Sequence, residues 1–390
     1  MTPLERTLSL ASMTPWARKW GVSSKTPLDE WPLVSRDDLV EDPDQFVVPG
    51  WPRFARRIVR TGGSSGQPLG LWLDRFIPVL EAKHQLAQWG RIGFRRGDWR
   101  LVLRGSAPRQ EELFFINTLR REIHTSTFHL TECRLEELVR SVPIRKRLWL
   151  HAYPSSALEL VRMLRLRGEG NPFGFLGVLL GSENSSWEQR DVISAHFGVP
   201  TFSWYGLTEK VVLAGECRFS RQYHVNDAYG HVELVTAGGA PVTSSADPAR
   251  IIATGFMNLC APLVRYDTGD IAFLADDACG CSLPGVRLAN VVGRAQDFLE
   301  TAEGTRVSVA ALNLHGDEYK GLVRLQYVQK AAGDVYVRVM APTWGSENVR
   351  LLEDAIRLRL PGSTVHVEIV ERVMVGPNGK APLVVREVNA

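Results

Sequence analysis

Leu148-Trp149-Leu150-His151, the apolar run from Phe175 to Leu180, and Thr201-Phe202-Ser203-Trp204 are three short strand-like stretches separated by two helical patterns, over 155–167 and 186–197. Strands alternating with helices in this way argue for a parallel sheet covered by helices. Ser185-Ser186-Trp187-Glu188 fits a capping box opening the second helix. Toward the N-terminus the alternation continues. Leu101-Val102-Leu103 reads as a strand, Leu135 to Val139 as part of a short helix, Asp74 to Trp89 as a helical pattern and Arg57-Ile58-Val59-Arg60 as another strand. Residues 1–52, rich in Pro and Trp, read as an irregular lead-in with short helices.

Beyond Tyr205 the pattern changes. Val232-Glu233-Leu234-Val235, Ile251-Ile252-Ala253 and Ile271-Ala272-Phe273-Leu274 are strand-like with few helices between them, which predicts a β-rich subdomain over about 206–292. Residues 322–373 read strand, strand, helix (346–360), strand. The expected fold class is therefore α/β: a large domain over 1–293 with a β-rich subdomain, followed by a small α+β domain over 294–390.

The chain has 390 residues, room for two to three domains at about 150 residues each. Its 44% hydrophobic and 23% charged residues exclude a mainly disordered chain. A net charge of +3 gives no reason to expect nucleic acid or an anionic membrane as partner. The interrupted basic runs Arg53-Phe54-Ala55-Arg56-Arg57 and Arg145-Lys146-Arg147 read as solvated faces. Five cysteines are too few for a secreted disulfide scaffold, and there is neither a signal-peptide pattern nor an 18-residue apolar run. The expectation is a soluble cytoplasmic protein.

Five motifs carry chemistry. Thr61-Gly62-Gly63-Ser64-Ser65-Gly66-Gln67-Pro68 follows a strand and is dense in glycine and hydroxyls, so its N–H groups and side chains can converge on an anion. It is not a Walker A loop, because no Lys-Ser/Thr follows. It also matches G-x-S-x-G, the nucleophile elbow, but Pro68 and Gly70 lead into a strand-like Leu71-Trp72-Leu73 where an elbow needs a helix. Trp204-Tyr205-Gly206-Leu207-Thr208-Glu209 sits at the C-terminal end of a strand, where open α/β sheets bind ligands. There an aromatic can stack on a base, a hydroxyl can hold a phosphate and a carboxylate can hold Mg²⁺. Arg265-Tyr266-Asp267-Thr268-Gly269-Asp270 reads as a tight turn whose Asp can accept two vicinal hydroxyls, or as a plain Asx turn. Val292-Gly293-Arg294-Ala295-Gln296-Asp297 lies at the expected domain boundary, and Gly376-Pro377-Asn378-Gly379-Lys380 is a turn presenting one Lys.

In this order and spacing the five motifs resemble those of the adenylate-forming, AMP-producing superfamily of acyl and aryl ligases. The resemblance is nearest to its phenylacetate–CoA ligase-like branch, which includes coenzyme F390 synthetase-like and capsule-biosynthesis ligase-like proteins. Trp31-Pro32-Leu33-Val34-Ser35-Arg36-Asp37-Asp38-Leu39 and Gly181-Ser182-Glu183-Asn184 fit that branch too. The resemblance spans roughly residues 30–385 and implies a two-step reaction. ATP and a small acid give an acyl-adenylate and pyrophosphate, and an acceptor then displaces AMP. The acceptor is coenzyme A, a carrier-protein thiol or a small-molecule amine. A homodimer is an open expectation.

The resemblance also implies roles. Thr61 to Gly66, with Ser64 and Ser65 foremost, would hold the ATP phosphates. Gly181, Ser182, Glu183 and Tyr205, followed by Gly206, would flank adenine. Thr208 would contact the α-phosphate and Glu209 would ligate Mg²⁺. Asp270 would take the ribose hydroxyls, with Arg294 nearby. Lys380 would bridge the carboxylate and the α-phosphate region during adenylation. Attack of a carboxylate on phosphorus brings two anions together, so a site of this kind needs Mg²⁺, loop N–H groups and a cation. Two departures stand out. Gln67 replaces the Lys that many members carry, and Gln296, with Asp297 after it, stands where the family usually has its hinge Asp. The acid pocket is expected within 100–151 and 175–205, for a small polar or aromatic acid.

Cys279-Gly280-Cys281 is a C-x-C pair, and upstream lie Cys217 and His224. Three Cys and one His form a tetrahedral Zn²⁺ complement, but C-x-C is tighter than usual finger spacing, so spacing alone leaves unconnected thiols equally open. The branch includes members with a similar set, which implies a structural Zn²⁺. Cys133 and Cys260 are expected to be buried small hydrophobes. His84, His124, His129, His151, His196, His231, His315 and His366 show no metal spacing. The alternative to the ligase reading is a Ser64-based hydrolase or an inactive adenylate-binding relative.

Overall fold

The first helices are set by local capping. Thr2 and Glu5 exchange hydrogen bonds with each other's backbone N–H groups and open α1 (Pro3–Ala11). Thr14 caps α2 (Pro15–Trp20), and Ser35 with Asp38 forms a second capping box at α3 (Arg36–Glu41). The computed structural model describes residues 1–61, 69–104, 112–126, 132–144, 146–181, 185, 187–236, 238–276, 279–293, 298–312, 322, 324–371, 373–374 and 384–387.

Strands β1 (Arg56–Thr61) and β2 (Leu69–Asp74) pair antiparallel, with Thr61 opposite Leu69. The glycine- and serine-rich stretch 62–68 falls between the paired residues Thr61 and Leu69 in sequence and lies outside the described residues. After α4 (Ile77–Trp89) come β3 (Trp99–Arg104), β4 (Phe115–Asn117), β5 (Glu122–Ser126), α5 (Glu132–Ser141), β6 (Leu148–Ala152), α6 (Pro154–Leu166), β7 (Val178–Gly181), α7 (Trp187–Phe197) and β8 (Thr201–Gly206). Strands β5, β3, β6, β7 and β8 are neighbours in that order and run parallel, as the alternation predicts; β4 adds an antiparallel edge.

Every residue of β6 is buried. A strand covered on both faces reads as a continuous apolar run, which is why Leu148-Trp149-Leu150 shows no polar alternation. On one face Leu148 and Leu150 meet Ala157, Leu160, Val161 and Leu164 of α6, spaced at i, i+3, i+4 and i+7. Full burial of each such leucine contributes about 2–3 kcal/mol.

From β8 the same sheet continues in antiparallel pairing through β9 (Leu213–Glu216), β10 (Tyr223–Val225), β11 (Gly230–Val235), β12 (Pro248–Gly255), β13 (Tyr266–Leu274) and β14 (Arg287–Gly293). Strands β3 to β14 form one twelve-stranded sheet in the order β11-β12-β13-β14-β10-β9-β8-β7-β6-β3-β5-β4. The β-rich stretch expected as an appended subdomain is thus hydrogen-bonded in register to the α/β half. It keeps its own core, in which Trp16, Trp31, Leu39 and Phe46 of the N-terminal lead-in pack with Ile251, Leu263 and Tyr266. Val34 bridges to Tyr266, its N–H donating to the Arg265 carbonyl at 3.1 Å.

The described C-terminal residues hold a β15 (Phe298–Glu300)–β16 (Arg306–Ser308) pair, a short α8 (Val309–Leu312), β17 (Arg324–Ala331), β18 (Asp334–Met340), α9 (Ser346–Arg357), β19 (Thr364–Ile369) and β20 (Val384–Arg386). Strands β19-β18-β17-β20 form a separate sheet with its own core around Tyr327, Val337, Leu352 and Ile356. The small α+β unit is present as read, with one more strand than expected.

Candidate functional site

The C-terminal end of β8 is where the described parts converge. Successive residues of a strand face opposite ways, so Trp204 and Tyr205 lie on opposite faces of the sheet. Tyr205 donates its phenol to Asp270 Oδ2 at 2.7 Å, across 65 residues of sequence. Burial, then the Asp270 carboxylate, pushes the Tyr205 phenol well above its ordinary range, which keeps it a donor.

The Arg265–Asp270 motif differs from its expected turn. It lies within β13, whose pairing is irregular around Ile271 and where Gly269 takes φ 72°. Alternation then decides the fates of its two aspartates. Tyr266, Thr268 and Asp270 face the interior, and Asp270 meets Tyr205. Asp267 points the other way, into an ion pair with Arg250. The Asx turn exists as well, because Asp267 Oδ1 accepts the Gly269 N–H at 3.0 Å.

Glu209 is buried in the loop between β8 and β9 and accepts the Tyr266 phenol on Oε1 at 3.1 Å. Two glycines let that loop sit against the sheet. A Cβ on Gly230 would fall 2.1 Å from the Val211 carbonyl oxygen, and one on Gly255 would fall 2.8 Å from that of Lys210. Lys210 takes φ 61° and places Nζ 2.8 Å from both oxygens of Glu81 on α4, an ion pair that anchors the loop to the helix. Thr208 is half-buried in the same loop, and Gly206 is exposed at its start.

On the opposite face Trp204 covers Gly181, whose Cβ, if present, would lie 2.2 Å from the indole. Trp204, Trp89 and His151 form a triangle with ring centroids 5.4–5.5 Å apart beneath α4. This aromatic wall comes from the stretches 100–151 and 175–205 in which the acid pocket is expected, together with α4.

The structure joins Tyr205 to Asp270 and Glu209 to Tyr266 of the same motif; Gly206 and Thr208 lie at the end of β8 and in the loop after it, and Gly181 pairs with Trp204 from β7. The other expected site residues, Gly62, Gly63, Ser64, Ser65, Gly66, Ser182, Glu183, Arg294 and Lys380, lie outside the described residues, as do Gln67, Gln296 and Asp297; for Thr61 the strand position alone is described. Tyr266 as the partner of Glu209 and Glu81 as the partner of Lys210 were missed by sequence reasoning. Tyr266 stands inside a quoted motif and carried a signal; Glu81 carried none.

A second cluster lies where β9, β10 and the segment before β14 meet. The ligand atoms of Cys217, His224, Cys279 and Cys281 are all within 4.8 Å of one another. His224 Nε2 is 3.2 Å from both Cys279 Sγ and Cys281 Sγ, and those two sulfurs are 2.8 Å apart. Burial, then Arg91 and Arg287, lowers the His224 pKa and favours the neutral imidazole a metal needs. Arg91 clamps the approach by donating to the Gly215 and Glu216 carbonyls at 2.9 and 3.0 Å. Three sulfurs and one imidazole nitrogen on a common centre fit tetrahedral Zn²⁺ and leave no open position. Cys260 is buried as expected. Cys133 is exposed, against expectation, because α5 turns Leu135 and Leu138 to the core and leaves Cys133 outside.

No family model matches the chain. In sequence it is 29% identical over 150 residues to phenylacetate-coenzyme A ligase of Thermus thermophilus, a match covering 37% of this chain and 34%, about a third, of that protein. It is 19% identical over 367 residues to the protein CapK of Staphylococcus aureus, covering 90% of this chain and 79% of that one. In structure it is similar to 2-hydroxyisobutyryl-CoA ligase in complex with 2-HIB-AMP and CoA, with a TM-score of 0.64 at 16% identity, covering 99% of this chain and 88% of that one. The chain thus has the adenylate-forming ligase fold, and its likeness to the phenylacetate–CoA ligase-like and CapK-like branch is carried by sequence as well as by motifs.

Proposed function

We propose that this chain, with the fold and ordered motifs of the adenylate-forming superfamily, is an ATP-dependent, AMP-forming ligase that activates a small acid as its adenylate and passes it to a thiol or amine. The observation that carries the reading is the 2.7 Å bond from Tyr205 to Asp270, which joins the second and third motifs into one site at the end of β8. An aromatic ring beside a carboxylate suits a nucleoside, the ring for the base and the carboxylate for two ribose hydroxyls. Glu209 has one oxygen engaged by Tyr266 and would offer the other to Mg²⁺, which supplies positive charge to the triphosphate. Thr208 stands in the same loop to donate to the α-phosphate. The acid belongs on the Trp204 side, where the indoles and His151 suit a small aromatic or polar acid.

We place the division between large and small units at 293/294, with Lys380 on the small unit. The cluster of Cys217, His224, Cys279 and Cys281 would hold one structural Zn²⁺. Coenzyme A, a carrier thiol and an amine remain the three acceptor classes. Among the described residues no helix is long and apolar enough to cross a membrane.

The elbow needed by a Ser64 hydrolase must run from strand into helix, whereas the next described element after β1 is β2, a strand antiparallel to it. The test is pyrophosphate release from ATP over a panel of small aromatic and polar acids. Glu209→Gln should impair it and recover partly at higher Mg²⁺, and Ser64→Ala should cost less, since neighbouring loop N–H groups remain. Acid-independent hydrolysis abolished by Ser64→Ala, with no pyrophosphate release, would overturn the ligase reading.

A further inference from the structure

Beneath the site lies a guanidinium that the proposed chemistry leaves unused. Arg190, in the first turns of α7, is 2% exposed. Its Nε donates to Ser185 Oγ and its Nη2 to the Ser185 carbonyl, each at 2.8 Å. Nη1 reaches Glu216 Oε1 at 3.3 Å, Nη2 also donates to the Tyr223 phenol, and the guanidinium stacks 4.1 Å from the Trp187 ring. The partners of Arg190 in turn hold β8. Glu216 Oε2 accepts the Ser203 N–H at 2.7 Å, and Tyr223 donates to Ser203 Oγ at 3.2 Å.

One buried cation thus ties four separate points of the chain. Ser185 lies four residues after Gly181. Ser203 lies two residues before Tyr205 and on the same face. Glu216 and Tyr223 are the sequence neighbours of Cys217 and His224, and they turn away from the Cys/His cluster toward Arg190. A buried ion pair is weak support for stability, because desolvation offsets much of its attraction, and apolar residues of equal volume often do as well. What a forked, five-donor cation adds is geometry.

We propose that Arg190 is a positioning residue for the nucleotide. It fixes the chain where it leaves the Gly181 segment, and through Glu216 and Tyr223 it holds β8 so that Tyr205 faces Asp270. The proposal rests on the ligase reading above.

Arg190→Lys keeps the charge but cannot serve Ser185 twice together with Glu216 and Tyr223. Binding of AMP and of Mg²⁺-ATP, measured by calorimetry, should weaken about tenfold, within the usual range for coupling between a remote element and a site. The KM for ATP should rise by a similar factor, with a smaller change in kcat. Melting temperature and zinc content should stay near those of the wild type. Tyr223→Phe, which removes one hydroxyl, should shift the same constants in the same direction and carries the test if Arg190→Lys does not fold. Wild-type nucleotide constants in both variants would overturn the positioning role while leaving the ligase reading intact. A defect that accompanies zinc loss and reverses on adding zinc would also overturn it, by assigning the effect to the metal cluster. Wild-type protein that neither binds AMP nor releases pyrophosphate with any acid would remove the ligase reading and this proposal together.

Discussion

Cys281→Ser tests the metal cluster where its energetic weight can be worked from the chain. The four ligands join two segments, and His224 and Cys279 are 55 residues apart in sequence. By the chain-entropy relation for a cross-link, closing a loop of that length in the unfolded chain costs about 4 kcal/mol. In the folded chain little strain opposes the closure, because β10 already pairs with β14, His224 opposite Arg287. Loss of the clasp should therefore lower stability by up to about 4 kcal/mol, or about 8–16 °C in Tm at 2–4 °C per kcal/mol for a large domain. Removing one thiolate weakens the metal rather than cutting a covalent bond, so the variant should also release zinc to a mild chelator that leaves the wild type loaded.

Metal analysis of freshly purified protein gives the first readout and scanning calorimetry, with and without chelator, the second. Cys133→Ser is the control, since Cys133 is exposed and outside the cluster, and a surface change of that kind stays within about 0.5 kcal/mol. Wild-type protein carrying no zinc, with Cys281→Ser melting at the wild-type temperature, would refute the clasp and return the cysteines to unconnected thiols.

Two further outcomes follow from the same reasoning. Lys380→Ala should lower adenylate formation by about 10²–10³, the usual cost of a preorganised charge, while transfer from a synthetic acyl-adenylate to the acceptor proceeds; separate assays of the two half-reactions check it. Asp98 accepts bonds from Arg147, the Arg95 N–H and Trp149 Nε1, and these outweigh burial and hold its carboxyl below the usual range. A depressed folded pKa contributes stability above the ordinary carboxylate value of about 3.9 and loses it as pH falls through the folded value. Asp98→Ala should cost about 1–3 kcal/mol at pH 7, by denaturant titration, and less below pH 3.9.

The parallel half of the fold was legible because its strands are buried on both faces and its helices carry apolar stripes. Strand β6 (Leu148–Ala152) and helix α6 (Pro154–Leu166) fall within a residue of where the sequence places them. The continuity of the sheet from β8 into β14 was not legible, because the apolar alternation of β11 and β12 would look the same in a separate sandwich. The motif at 265–270 was misread as a turn for a local reason. Thr-Gly-Asp has turn composition, and the Asx turn does form, but within a paired strand whose Gly269 absorbs the irregularity. The cluster of Cys217, His224, Cys279 and Cys281 was legible by residue type alone. Its convergence depends on β10 pairing with β14, a contact that no spacing rule encodes.

The direction of the sheet explains why the site stands where it does. Ligands of open α/β sheets gather at the carboxyl ends of parallel strands, and β8 is the last parallel strand of the twelve-stranded sheet. A parallel neighbour beyond it would need a crossover helix on one face of the sheet. The chain turns back instead through the tight loop at 207–212, and the antiparallel strands that follow carry Tyr266 and Asp270 to the end of β8. The reversal therefore does two things with one loop: it places Glu209 beneath Tyr266, and it leaves the face bearing Trp204 covered by α4, so that the Tyr205–Asp270 pair and the aromatic wall come to lie on opposite sides of a single strand.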